Sequence, residues 1–127
     1  MQKKVLVCVT AQKNSKRLID KGREIAVDKR AQLHILNVVI GKNMFTTESE
    51  TELIQLLFNY ASEFGGVVHA LCGEDVYEII KSFIKEEMVT NIVVGAPPRE
   101  IREKGGSFTD RIGADFPYID IFVLDRE

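Results

Sequence analysis

The chain has 127 residues, of which 45% are hydrophobic and 28% are charged, and its formal net charge is −2. This composition predicts one globular domain over residues 1–127, and the charge gives no general attraction to nucleic acid or membranes. No stretch approaches the roughly 20 apolar residues that cross a bilayer, and the first apolar run is too short for a signal peptide. We therefore expect a cytoplasmic protein.

Five short apolar runs predict β-strands. Strands that are covered on both faces of a sheet are nearly continuous in apolar residues, as these runs are. They lie at residues 4–10, 33–40, 67–72, 92–94 and 119–124. His34 and His69 each fall singly inside a run, so we interpret both as core or sheet-face residues. Cys8 and Cys72 also lie in apolar runs, and we expect two buried thiols with neither a disulfide nor a metal site.

Amphipathic patterns between the strands predict four helices. Asn14 or Ser15 can cap the first helix. Asp75, with Glu78 three residues later, resembles a capping box at the start of the third. Ser107 can cap the fourth. The apolar stripes of the four helices lie within residues 18–26, 53–64, 76–84 and 108–116.

Strict alternation of strands and helices predicts a parallel sheet with right-handed crossovers. The fold class is α/β: a five-stranded, doubly wound, Rossmann-like sheet in the order 3-2-1-4-5, with helices on both faces. Such sheets bind ligands at the carboxyl ends of the strands, where the strand order reverses. For this order the crevice lies between the first strand, which ends at Thr10, and the fourth, which ends at Gly95.

The segment that follows the fourth strand has features of an anion site. Gly95 permits close backbone approach, and Gly105-Gly106-Ser107 opens a helix whose free amides can face a phosphate. Basic side chains surround it: Arg99, Arg102, Lys104 and Arg111, with Lys13, Lys16 and Arg17 from the first loop. Each glycine alone can be a simple turn and each arginine a solvated side chain, but together at one crevice they favour an anionic ligand, and a nucleotide is the leading hypothesis.

At this point the chain resembles a universal stress protein domain over nearly its whole length. The resemblance rests on residues 4–10, on residues 31–38, and on Asn91 to Gly95 followed by Gly106-Ser107. Residues 7–38, which include Ser15-Lys16-Arg17-Leu18-Ile19, and the later Ile119-Asp120-Ile121 are more specifically similar to the universal-stress-like domain of KdpD-type potassium-sensing histidine kinases.

The resemblance implies a nucleotide site of known pattern. Nucleotide-binding members carry a glycine, two residues, a second glycine, nine residues, then glycine and serine or threonine. Gly95, Gly106 and Ser107 match. Pro98 replaces the second glycine, only seven residues separate it from Gly106, and Thr10 stands where ATP-binding members commonly carry aspartate. The candidate nucleotide-binding residues are Thr10, Val38, Val94, Gly95, Arg99, Arg102, Gly106, Ser107 and Phe108.

Three functions compatible with the resemblance remain open. The first is a regulatory or stress-response domain that binds ATP or another adenine nucleotide, with the base between the first two strands. The second is a dimerising scaffold that has lost nucleotide binding; for the chain in general we expect a homodimer through the exposed edge of the last strand, residues 119–124. The third is a cyclic-dinucleotide sensor. The residues predict no catalytic set, so slow ATP hydrolysis is the most activity that the family implies. No basic stripe predicts DNA binding.

Overall fold

The computed structural model describes residues 3–10, 15–40, 48–95 and 108–124. Five strands form one sheet in the order β3-β2-β1-β4-β5, which confirms the predicted fold. The strands are β1 (Lys4–Val9), β2 (Gln32–Ile40), β3 (Val67–Gly73), β4 (Asn91–Gly95) and β5 (Asp120–Leu124). The helices within these described ranges are α1 (Ser15–Lys29), α2 (Glu48–Ser62), α3 (Val76–Glu87) and α4 (Phe108–Asp115).

All strand pairs are parallel, and β1 lies at the centre of the sheet. Val7 is in register with Ile35 of β2 on one side and with Val93 of β4 on the other. The central position of β1 explains its apolar sequence, because helices cover a central strand on both faces of the sheet. The chain continues from β1 to β2 on one side and reaches β4 only later, so the strand order reverses here.

Each face of the sheet has its own apolar core. Leu6, Leu36 and Ile92 lie on the face covered by α3 and α4. Val5, Val7 and Ile35 lie on the face covered by α1 and α2. Consecutive strand residues point to opposite faces, so one apolar strand supplies both cores. We call these the α3/α4 face and the α1/α2 face.

Helix α1 packs unusually close to the sheet at Gly22. A Cβ atom at this position would lie 2.2 Å from Cγ2 of Val7 and 3.1 Å from Cδ1 of Leu33. The absence of a side chain therefore sets the distance between α1 and β1.

The capping predictions have mixed outcomes. The Asp75 side chain accepts a hydrogen bond from the Glu78 amide at 3.2 Å, as expected for an N-cap. Ser15 is the first residue of α1, and its hydroxyl bonds with Thr10 at the end of β1. Ser107 lies outside the described residues.

The expectation of two buried thiols is wrong for Cys72, which is exposed. Cys72 lies on β3 at the edge of the sheet, and an edge strand is covered less well than a central one. The apolar run predicted a strand but carried no information on its place in the sheet. Cys8 lies on the central strand and is partly exposed.

Candidate functional site at the carboxyl ends of the strands

The predicted crevice lies where β1 and β4 end side by side. The first two crossovers, through α1 and α2, cover one face, and the next two, through α3 and α4, cover the other. This change of face is the topological switch at which open α/β sheets hold ligands.

Three of the candidate residues come together on the α3/α4 face. Val94 is 6% exposed and belongs to the core there, while Val38 and Phe108 are partly buried against the same core. They come from β4, β2 and the first residue of α4. All three lie in or against that core near the carboxyl ends of the strands, with Val38 and Phe108 partly exposed, and we call this set of residues the base wall.

Two further residues contribute to the base wall and were not predicted. Cys8 and Val76 pack against the same core from β1 and from the start of α3. Cys8 was foreseeable, because it lies two residues before Thr10 and strand alternation places both on one face. Burial raises the pKa of the Cys8 thiol to about 12, so the thiol stays protonated and acts as an apolar group rather than a nucleophile.

Thr10 is exposed at the end of β1, and its backbone is held by Ser15. The Ser15 hydroxyl accepts from the Thr10 amide at 3.3 Å and donates to the Thr10 carbonyl at 2.8 Å. Ser15 is 1% exposed, so its hydroxyl makes these two hydrogen bonds at the buried start of α1. The group that Thr10 can offer a ligand is therefore its side-chain hydroxyl.

Gly95 has a different setting from the base wall. Strand alternation directs Val94 to the α3/α4 face and position 95 to the other. Among the described residues, the nearest atom to a Cβ at Gly95 would be Cδ1 of Leu18, at 3.8 Å. Packing in the described part of the chain does not require glycine here. The remaining candidates, Arg99, Arg102, Gly106 and Ser107, lie outside the described residues.

Two of the basic residues assigned to the crevice contact aromatic rings. The Arg111 guanidinium carbon lies 3.6 Å from the centroid of the Tyr77 ring. Lys16 Nζ lies 4.7 Å from the centroid of the Tyr60 ring. Such cation–π contacts stabilise the placement of the charge. The sequence showed the charges but not these partners.

Tyr77 on α3 contacts two residues of α4, Phe108 and Asp115. Its ring meets the Phe108 ring edge to face, with centroids 5.8 Å apart, and its hydroxyl donates to the Asp115 carboxylate. Asp115 also lies 3.6 Å from Lys81 Nζ. Desolvation and the bond to Asp115 raise the pKa of Tyr77 to about 12, while that bond lowers the pKa of Asp115. A neutral donor therefore faces an ionised acceptor.

The two histidines lie away from this end of the sheet. His34 is 4% exposed, and its Nδ1 lies 2.9 Å from Nε2 of His69. His34 Nε2 lies 2.8 Å from the Gln32 side-chain oxygen, so both ring nitrogens of His34 have hydrogen-bond partners. Both rings pack on Phe83. This confirms their interpretation as core and sheet-face residues.

Two further observations on the described residues concern metal ions and membranes. No group of three or more histidine, cysteine, aspartate or glutamate residues within them could hold a metal ion. None of the described helices is long and apolar enough to cross a membrane.

Several solved structures that this chain resembles are universal stress proteins, which defines its structural class. One from Archaeoglobus fulgidus has a TM-score of 0.70 and 17% identity, over 100% of this chain and 95% of the other. A second, from the same organism in complex with dAMP, has a TM-score of 0.62 and 17% identity, over 100% and 98%. A third, in complex with cAMP, has a TM-score of 0.69 and 17% identity, over 98% and 97%.

The chain thus has the universal stress protein fold, as its sequence resemblance implied. No family model matches the sequence, and no curated protein matches it. At 17% identity the similarity defines the fold and leaves the ligand to be argued from this chain's own residues.

Proposed function

We propose that this chain is a regulatory domain that binds an adenine nucleotide. The observation that carries the proposal is the base wall: Val38, Val94 and Phe108 belong to the core of one face near the carboxyl ends of the strands, and Val38 and Phe108 are partly exposed there. An apolar surface beside a topological switch suits the flat face of a purine. Two solved structures of the same fold hold dAMP and cAMP.

In this proposal the base packs on the wall, beside the Thr10 hydroxyl. The phosphates reach the segment after β4, where Gly106 and Ser107 match the family pattern and Arg99 and Arg102 supply charge. These four residues lie outside the described residues, so their part rests on the sequence. We infer a regulatory role, because the sequence predicts no catalytic set beside the crevice. We place the domain in cytoplasmic stress response or signal transduction, and the resemblance to KdpD-type kinases supports the latter.

Mass spectrometry of small molecules released from the denatured protein tests the proposal first. We expect an adenine nucleotide. Titration calorimetry with ATP, dAMP, cAMP and a cyclic dinucleotide then ranks the ligands. A cyclic dinucleotide that binds more tightly than the others would favour the sensor alternative, and no bound or titrated nucleotide would refute the proposal.

Two substitutions on β2 locate the base. Val38→Phe fills space at the wall, whereas Val39→Phe adds the same ring on the opposite face of the same strand. We expect Val38→Phe to weaken nucleotide binding by at least about tenfold, a change of about 1.4 kcal/mol, and Val39→Phe to leave it within about twofold. Equal affinities for both variants, with circular dichroism showing folded proteins, would place the base elsewhere.

The second candidate is a dimerising scaffold, and one observation favours it. β5 is an edge strand, and Val123 on it is 43% exposed. Unpaired backbone groups beside exposed apolar side chains favour association. A homodimer through β5 is compatible with nucleotide binding, so the scaffold replaces the first proposal only where the nucleotide experiments fail.

A further inference from the structure

The opposite edge of the sheet carries a groove that the proposed nucleotide site does not use. It lies between β3 and α3 and has a volume of about 420 Å³. Leu71, 39% exposed, and Ile79 give it an apolar floor. Glu78, Ser82 and Glu86, spaced at intervals of four along α3, form its wall.

The β3 backbone forms the rim of this groove. β3 pairs with β2 from Val67 to Gly73 and ends the sheet on that side. In an edge strand, alternate residues point their N–H and C=O groups away from the sheet. An extended peptide can pair with these groups and lengthen the sheet by one strand.

The charge of the groove selects the kind of peptide. The carboxylates of Glu78 and Glu86 line it, and the ion pairs found among the described residues join other side chains. A second copy of this chain would bring two acidic walls together, which costs energy. A segment with basic side chains complements them.

The spacing of the two carboxylates gives the pattern of that segment. Eight residues along a helix span about 12 Å, and four residues along a strand span about 13 Å. Two basic side chains four positions apart on one face of an added strand would therefore match Glu78 and Glu86. The position midway between them would lie over Leu71, in the apolar floor of the groove.

We propose that the β3 edge and α3 form a docking site for an extended segment of a partner protein with the pattern basic–x–apolar–x–basic. Backbone pairing with β3 supplies part of the affinity, and the two glutamates and the apolar floor supply the specificity. The site does not depend on nucleotide binding.

A synthetic peptide tests the proposal with the full chain. It has seven residues, as β3 does, with lysine at its second and sixth positions, leucine at its fourth and threonine elsewhere. Fluorescence anisotropy should show saturable binding that weakens as salt rises. Alkylation provides a second readout, because Cys72 lines the groove and is exposed whereas Cys8 is held protonated. The bound peptide should slow labelling of Cys72.

Charge reversal gives the sharpest comparison. The double variant Glu78→Lys and Glu86→Lys should bind the peptide at least about tenfold more weakly. It should instead prefer a peptide with glutamate in place of both lysines, a gain that a misfolded variant would not show. The control is Glu52→Lys, an exposed position on α2 across the sheet, which should leave affinity unchanged.

Three results would overturn the proposal. One is the absence of saturable binding to the parent protein. Another is equal binding of the lysine peptide by the parent and the double variant. The third is undiminished binding of both members of a peptide pair, one N-methylated at its odd residues and one at its even residues, because in one of the two the amides that face β3 are blocked. A concentration-dependent dimer that the double variant abolishes would instead assign the groove to a second copy of the chain.

Discussion

Replacement of Gly22 by alanine tests how closely α1 approaches the sheet. The new methyl group would lie 2.2 Å from Cγ2 of Val7. Val7 is fully buried on the central strand, and its β-branched side chain has little rotational freedom. The helix must therefore move outward, or Val7 must leave its preferred rotamer.

The size of the effect follows from two opposing terms. Alanine in place of glycine inside a helix gains about 1 kcal/mol of helix propensity. Overpacking a well-packed core costs about 1–3 kcal/mol, and the distance here is shorter than any relaxed carbon contact. Because the 2.2 Å distance places the overpacking cost in the upper part of that range, at about 2–3 kcal/mol, we expect Gly22→Ala to lower the free energy of unfolding by about 1–2 kcal/mol. For a domain of this size that lowers Tm by about 3–8 °C.

Gly113 on α4 provides a matched control. A Cβ atom there would find its nearest described neighbour, Cδ1 of Ile121, at 3.8 Å, an ordinary contact. Gly113→Ala should therefore be neutral or stabilise by up to about 1 kcal/mol. Urea unfolding followed by circular dichroism measures both variants, provided that the slope with denaturant stays constant.

A double-mutant cycle identifies the atom responsible. Val7→Ala removes the methyl groups that meet the new side chain, so the double variant Gly22→Ala, Val7→Ala should lose less stability than the two single variants added together. A Gly22→Ala protein as stable as the parent, or strictly additive effects in the cycle, would refute the close packing of α1 on β1.

Three further predictions concern other parts of the fold. Tyr77→Ala removes a buried ring between α3 and α4 and should lower the free energy of unfolding in urea by about 3–5 kcal/mol. Tyr77→Phe keeps the ring and should lower it far less. Similar losses in the two variants would assign the stability to the hydrogen bond with Asp115. Burial is the main cause that lowers the pKa of both His34 and His69; the positive charge of Lys4 adds to this shift and Glu87 opposes it. The contribution of the two histidines to the free energy of unfolding is complete above the ordinary histidine pKa of about 6.5. It is lost as the pH falls through the lowered values. The free energy of unfolding should thus fall below about pH 6.5, and an unchanged slope in His34→Gln would exclude this pair as the cause. Val123→Lys should raise the monomer fraction in sedimentation if β5 is the dimer edge. It is a better test than Ile121→Lys, because Ile121 packs against the α3/α4 core. A parent protein that stays monomeric at high concentration would exclude the dimer.

The sheet was predictable because its signals are local and strong. Apolar runs of strand length alternate with helical stripes, and few topologies accept that order. The same logic placed Thr10 and Gly95 at neighbouring strand ends and located His34 and His69 on strands. Strand alternation also explains why Val38 and Val94 reach one face.

The contacts that depend on distant residues were not predictable. Arg111 was assigned to the crevice by its charge, but its ring partner, Tyr77, lies on another helix, 34 positions earlier in the sequence. Cys72 was expected to be buried because its run is apolar, yet exposure depends on which strand forms the edge. The hydrogen bond between the two histidines depends on the pairing register of β2 and β3. Local periodicity carries none of this information.

Helix α3 lies between the two proposed binding surfaces, and its residues serve both. Tyr77 contacts Phe108, which belongs to the base wall, while the adjacent Glu78 and Ile79 line the groove beside β3. A bound nucleotide can change the affinity of the groove for its peptide only if it binds more tightly to one position of α3 than to another. The reason is that a ligand shifts an equilibrium by no more than its differential affinity for the two states. Any such coupling is reciprocal, so a docked peptide would change nucleotide affinity by the same factor. The Tyr77 ring, held by Phe108, Arg111 and Asp115, is the contact through which α4 and α3 would have to move together.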